Sequence, residues 1–321
     1  MYIKKAALSF LIVTGLSACN NQLSVSEACN SVSVICKEIV DDSGCKRERS
    51  AVVLNEYDIR VKKDKSKIYQ QMLALEDLQQ CSYKRSLIQY VSAESRFPVE
   101  PNETKERVSK RESFRKSISK RKKVKSDNYH TTMKYANYYN QQTEGSLNPR
   151  HLYWHYSRLN DKVALKKLIE KDEKGEVSGH DMMFFMSMIY VDADPDLVEE
   201  SLLKSLEQYP VSKYNSVGDL KEPSKYDPYK DDEGRLHYSI LRHLTQSYYK
   251  NEQFDKSYIF AKLLELNNDN AVSDFMIFRK IKNRSEAHIK TLDEIAETAH
   301  EWLKEGEFDA WVLEQNMVSK L

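Results

Sequence analysis

The chain is short of the residues that interrupt helices, with 8 glycines and 7 prolines in 321 residues. Alongside 20 tyrosines and a charged fraction of 31%, that scarcity excludes a turn-rich β fold and predicts an all-α protein. The glycines are also scattered. Gly175 and Gly179 form the only close pair, so a loop able to cradle phosphate, which needs clustered glycines for close backbone approach, is excluded. Lys and Arg number 50 against 49 Asp and Glu, a net charge of +1. So balanced a chain has no global field to draw it to nucleic acid.

Two further absences bear on chemistry. The five cysteines contain no CxxC pair, and no histidine lies among Cys29, Cys36, Cys45 and Cys81, so the spacing is not that of a zinc site. No apolar run approaches the roughly 20 residues that a spanning helix requires. The longest apolar stretch, from Ala6 to Gly15, follows Lys4 and Lys5. Its length of about ten residues, behind a basic start, matches a secretory leader.

That leader ends in Leu16-Ser17-Ala18-Cys19, which resembles a bacterial lipoprotein box. The resemblance implies cleavage after residue 18 and lipid on Cys19. Two or more acyl chains hold a protein stably where one does not. Asn20 stands where an aspartate would retain a Gram-negative lipoprotein at the inner membrane, so the expected location is the outer membrane, facing the periplasm. With Cys19 assigned to lipid, an even set of four cysteines remains for an oxidising compartment. Two disulfides are expected among Cys29, Cys36, Cys45 and Cys81, with all three connectivities open.

Along the chain the organisation reads as a signal peptide over 1–18, a cysteine-rich segment over 19–65, long helices over 66–145 and helical repeats over 146–321. A helix is expected from about Ser66 to Ser92, its apolar stripe Ile68, Met72, Leu75 and Leu78 recurring at helical spacing. Between Lys105 and Lys125 stand eleven basic and two acidic side chains. This strip is either a solvated helix face or an anion-binding surface, for lipid headgroups or an envelope glycan. The cations proposed to carry it are Arg115, Lys116, Lys120, Arg121, Lys122, Lys123 and Lys125. Tyr135, Tyr138 and Tyr139 sit at helical spacing and are expected to pack between helices.

From residue 146 the pattern is one of paired helices. The pair HYSILRHLTQSYYKNEQFDKSYIFAKLLELNN resembles a tetratricopeptide repeat, with Leu244, Tyr248 and Tyr249 on its first helix, Phe254 opening the second, and Ser257 and Ala261 at small contact positions. Thr245 replaces the repeat's glycine, Ser257 its alanine, and the closing proline is missing. The pair from Met186 to Tyr209 fits more loosely. A solenoid of such hairpins implies a concave face built from first helices, for which Tyr153, His237, Arg242 and Tyr249 are the candidate ligand contacts. Tyr214, Tyr226 and Tyr229, in a polar insert, are a second candidate contact surface.

Catalytic patterns fail on inspection. GEVSG lacks the central serine of a hydrolase elbow, and Ser178 followed by Asp181 reads as a helix N-cap. His151 and His155 share a helix face but flank Leu-Tyr-Trp, without the glutamate of HExxH. No metal and no cofactor is expected, and the chain is not expected to be an enzyme.

The lipoprotein box, the C-x6-C-x8-C segment running into SGCKRER, the lone later Cys81 and the degenerate hairpins together resemble an uncharacterised family of Gram-negative lipoproteins. That resemblance spans nearly the whole chain, is most specific from Cys29 to Arg49, and brings no activity with it. The expected function is a lipid-anchored envelope scaffold or adaptor with a periplasmic or outer-membrane protein partner. An envelope enzyme or glycan-binding protein is the alternative, and an anion-dependent membrane-surface module the third reading.

Overall fold

A computed structural model of the chain describes residues 23–41, 44–88, 91–191, 194–209, 236–267 and 275–320. Cys19 and the tyrosines at 214, 226 and 229 lie outside these residues, as does the side chain of His237. Every regular element among the described residues is a helix, so the protein is all-α. The chain divides into two compact units, Met1–Gly145 and Ser146–Leu321.

The N-terminal unit begins with two short helices, α1 (Val25–Ser31) and α2 (Ser33–Glu38). Ser24 opens α1 through a reciprocal capping box with Glu27, which satisfies two otherwise unpaired donors. Next come α3 (Lys46–Arg60), a single 3-10 turn at Lys65–Lys67, α4 (Ile68–Ser86), α5 (Ala93–Arg96) and α6 (Lys105–Gln142). Helix α4 lies between α3 and α6 and contacts both. Met72, Leu75 and Leu78 of its expected stripe are fully buried, together with Val52 and Val53 of α3, and Tyr135 and Tyr139 of α6 are buried beside them. Tyr138 departs from expectation: it is exposed, because its neighbour Tyr139 occupies the inward position.

Helix α4 stops at Ser86 rather than near Ser92. Near that end the buried Lys125 of α6 donates its ammonium to the Arg85 carbonyl at 3.2 Å. A cation bonded to one of the last carbonyls is a C-terminal cap.

The second unit is built from hairpins. Helices α7 (Pro149–Leu159) and α8 (Lys162–Glu173) form the first, α9 (His180–Tyr190) and α10 (Pro195–Glu207) the next, and α11 (Leu236–Lys250) and α12 (Phe254–Leu266) the third. Three more helices follow, α13 (Phe275–Ile281), α14 (Glu286–Glu305) and α15 (Ala310–Lys320). The starts are written in the sequence: Asn148, Asp161, Asp194 and Ser285 each accept hydrogen bonds from first-turn amides, with Pro149 and Pro195 just inside, as capping physics requires. Ser178 is not the cap of α9. Gly179 holds that position at φ 101°, a conformation L side chains rarely adopt, and an added Cβ would sit 3.1 Å from the Arg150 guanidinium. Asp181 instead accepts from Arg150 at 2.6 Å.

Contacts run between hairpins as well as within them: α7 with α9, α10 with α11, and α12 with α14. In the third hairpin the fully buried Ser257 donates to the Thr245 carbonyl at 2.9 Å. The second helix thereby touches the first helix's backbone, as its small side chain predicts.

Candidate functional site

Two disulfides anchor the N-terminal unit, Cys29–Cys36 and Cys45–Cys81. The first clips α1 to α2 and the second fixes the start of α3 to α4. Arg49, at the end of SGCKRER, donates to the Ile39 carbonyl at 2.8 Å and the Cys36 carbonyl at 3.3 Å, closing the end of α2. Gly44 packs against the Arg85 guanidinium, which would have to swing aside for any Cβ at that position. Asn128 of α6 reaches back to Val40, giving and taking backbone hydrogen bonds at 2.9 Å each. No local pattern pointed to Asn128; a buried amide paired with backbone 88 residues away has no sequence signal.

Behind this lies a buried carboxylate. Glu56 is 1% exposed and accepts from Gln71 at 2.9 Å and Tyr139 at 2.6 Å, with the Arg60 guanidinium on its other side. Burial, then the Glu56 charge, push the Tyr139 phenol above its ordinary range. Beside the network opens a cleft of about 150 Å³ lined by Arg60, Lys63, Lys65, Tyr138 and Tyr139. It is small against ligand pockets of about 300–1,000 Å³, and Ile59, Ile68 and Gln142 complete its lining.

The basic strip separates into two parts. Its first part is neutralised: Arg107 meets Glu100, Lys110 meets Glu106, Arg111 is held by Glu103, and Arg115 sits on Glu94. Lys116, Lys120, Arg121, Lys122 and Lys123 are exposed and form no ion pair among the described residues. Lys125 does not belong with them, since burial and its bond to the Arg85 carbonyl make it the α4 cap. Arg115, already paired, is at most a partial contributor.

Of the repeat-face candidates, Tyr153 on α7 is stacked on Phe185 of α9, centroids 4.2 Å apart and rings 6° from parallel. Adjacent Phe184 meets His243 of α11 edge-on at 5.6 Å. An aromatic row thus runs across the first helices of three successive hairpins, with Arg242 half-buried beside His243. Tyr249, half-buried, packs edge-on against Phe254 at 5.6 Å, across the turn of its own hairpin. Phe184, Phe185 and His243 were missed because FF inside MMFFM reads simply as core.

A family model described as Protein of unknown function (DUF2989) matches residues 16–110 and 106–262. The chain belongs to this family. No curated protein and no solved structure matches it. The DUF2989 matches take in both disulfides, the basic strip and the hairpins into α12, and they meet in the first turn of α6.

The described residues hold no group of three or more His, Cys, Asp or Glu side chains placed to share a metal ion. His151 is buried, shares a hydrogen bond of 2.9 Å with Ser146, and flanks the buried Trp154. Burial, then His155, lower its pKa below the usual 6.5. The unfolded chain therefore takes up this proton first, and stability falls as pH drops from 6.5 toward the lowered folded value. His151→Gln, which can still bond Ser146, is expected to flatten the loss of melting temperature between about pH 7 and 5. A melting series against pH checks this, and an unchanged slope would refute it.

Proposed function

We propose that this DUF2989 protein is an outer-membrane lipoprotein, held by lipid on Cys19 with both units in the periplasm, that works as a protein-binding scaffold. The observation carrying the reading is the row Tyr153, Phe185, Phe184 and His243 on the first helices of three successive hairpins. In tetratricopeptide-like solenoids the first helices line the concave face that receives peptides or proteins, and aromatic and arginine side chains dominate such contacts. Tyr153 and Arg242 are the contacts assigned to it. The leader and lipoprotein box support the location; no helix among the described residues is long and apolar enough to cross a membrane.

The test is crosslinking and affinity capture from intact envelopes, run in parallel on the wild type, on Arg242→Glu with Tyr153→Ala, and on Lys166→Gln, exposed on the second helix of the first hairpin, as a control. One partner is expected with the wild type and the control, reduced about tenfold or more by the double variant. Equal recovery from all three would overturn the assignment. A second reading, an envelope glycan-binding protein, is favoured by the cleft of Arg60, Lys63, Lys65 and Tyr138. Absence of any captured partner, together with turnover or retention of peptidoglycan fragments, would select it.

A further inference from the structure

The bare part of the basic strip has an aliphatic companion. Helix α6 is pinned at two points ten residues apart: Arg115 sits on Glu94, and Lys125 bonds the Arg85 carbonyl at 3.2 Å. At 1.5 Å of rise per residue these pins are about 15 Å apart; Leu87 and Ile88 follow Arg85 closely, and Val91 stands three residues before Glu94, so each lies near one of the pins. Leu87, Ile88 and Val91 are 62%, 44% and 59% exposed. On the helix between the same pins stand Lys116, Lys120, Arg121, Lys122 and Lys123, all exposed and forming no ion pair among the described residues. Lys116, Lys120 and Lys123 fall at i, i+4 and i+7, on one helix face, while Arg121 and Lys122 extend the charge around it.

We propose that this face of the N-terminal unit docks on an anionic phospholipid bilayer. Three features select that occupant over an acidic protein. Lys116, Lys120 and Lys123 spread along one helix face rather than converging on a point, which suits a continuous plane of phosphates. The exposed cations are chiefly lysines, which bind phosphate as point charges without bidentate geometry. Leu87, Ile88 and Val91 near the pins are exposed aliphatic side chains, and aliphatic groups flanked by lysines are what enters a headgroup boundary. The face would give the protein a membrane contact of its own, distinct from lipid at Cys19 and from any partner on the hairpin unit.

The test uses the full chain as Cys19→Ser, so that acylation plays no part and the leader is common to every sample. Flotation is measured with phosphatidylcholine vesicles and with vesicles containing phosphatidylglycerol. Variants are Lys116→Glu with Lys120→Glu and Lys123→Glu, the neutral set Lys120→Gln with Arg121→Gln and Lys122→Gln, and Leu87→Ser with Ile88→Ser and Val91→Ser. Helical circular dichroism confirms folding of each. The parent is expected to prefer the anionic vesicles by at least tenfold, with salt weakening the preference. The glutamate set should abolish it, the glutamine set reduce it several-fold, and the serine set lower anionic binding at unchanged salt dependence. Equal binding to both vesicle types overturns the proposal, as does retention of the preference by the glutamate and glutamine sets. Full competition by millimolar inorganic phosphate would also overturn it, by making the ligand a discrete anion.

Discussion

Replacing Cys45 and Cys81 together with alanine is expected to lower the stability of the N-terminal unit by about 4 kcal/mol, against about 2 kcal/mol for the Cys29 and Cys36 pair. The difference comes from loop length: the two bridges close sequence separations of 36 and 7, and a cross-link removes more unfolded-state freedom as the loop it closes grows. Position adds to it. Cys45 is fully buried at the start of α3, and its bridge holds Gly44 against Arg85 of α4. Alanine is the right replacement there, because serine would bury a hydroxyl without an assured partner. Urea unfolding of the oxidised wild type and both double variants measures the two losses, and reductant on the wild type should bring it to the sum. Equal losses for the two pairs would refute the loop-length account.

Much of this fold is legible in the sequence because helix starts are local events. Asn148-Pro149, Asp161 and Asp194-Pro195 announce their helices through one side chain reaching two or three amides along the chain. The stripe of Met72, Leu75 and Leu78 is equally local. Long-range contacts are harder. The end of α4 is capped by Lys125, which composition alone places among the anion-binding cations. Arg107, Arg111 and Arg115 likewise look free until Glu100, Glu103 and Glu94 are folded against them. A charge run reads as a binding surface in one dimension, whereas its availability depends on which carboxylates return to it. Tyr249 carries a similar lesson, since a residue at a repeat-motif position also packs on Phe254 within its own hairpin. The cysteines were legible in number but not in pairing, because any of three connectivities satisfies the same spacing.

Cutting the hydrogen bond from Tyr139 to Glu56 is expected to destabilise the N-terminal unit by about 2 kcal/mol in Tyr139→Phe, the range for a hydrogen bond to a charged group. Glu56→Ala should cost about 3 kcal/mol, since it leaves the Tyr139 hydroxyl and Gln71 amide buried without their acceptor and opens a cavity. Arg60 adds little to either loss: its side chain is 52% exposed, so water replaces the carboxylate when the pair is broken. The two losses should not add. Once Glu56 is gone the hydroxyl has nothing to donate to, so Tyr139→Phe in a Glu56→Leu background should be nearly neutral or stabilising. That follows from the general behaviour of buried charged sets, which are costly to break singly and cheap to replace whole by apolar groups. A double-mutant cycle read by urea unfolding gives the coupling directly. A coupling below about 0.5 kcal/mol would mean that the carboxylate does not hold α6 to α3 through Tyr139. A large one would identify this network, which also forms the back of the Arg60 cleft, as the internal fixture that sets the position of the basic helix.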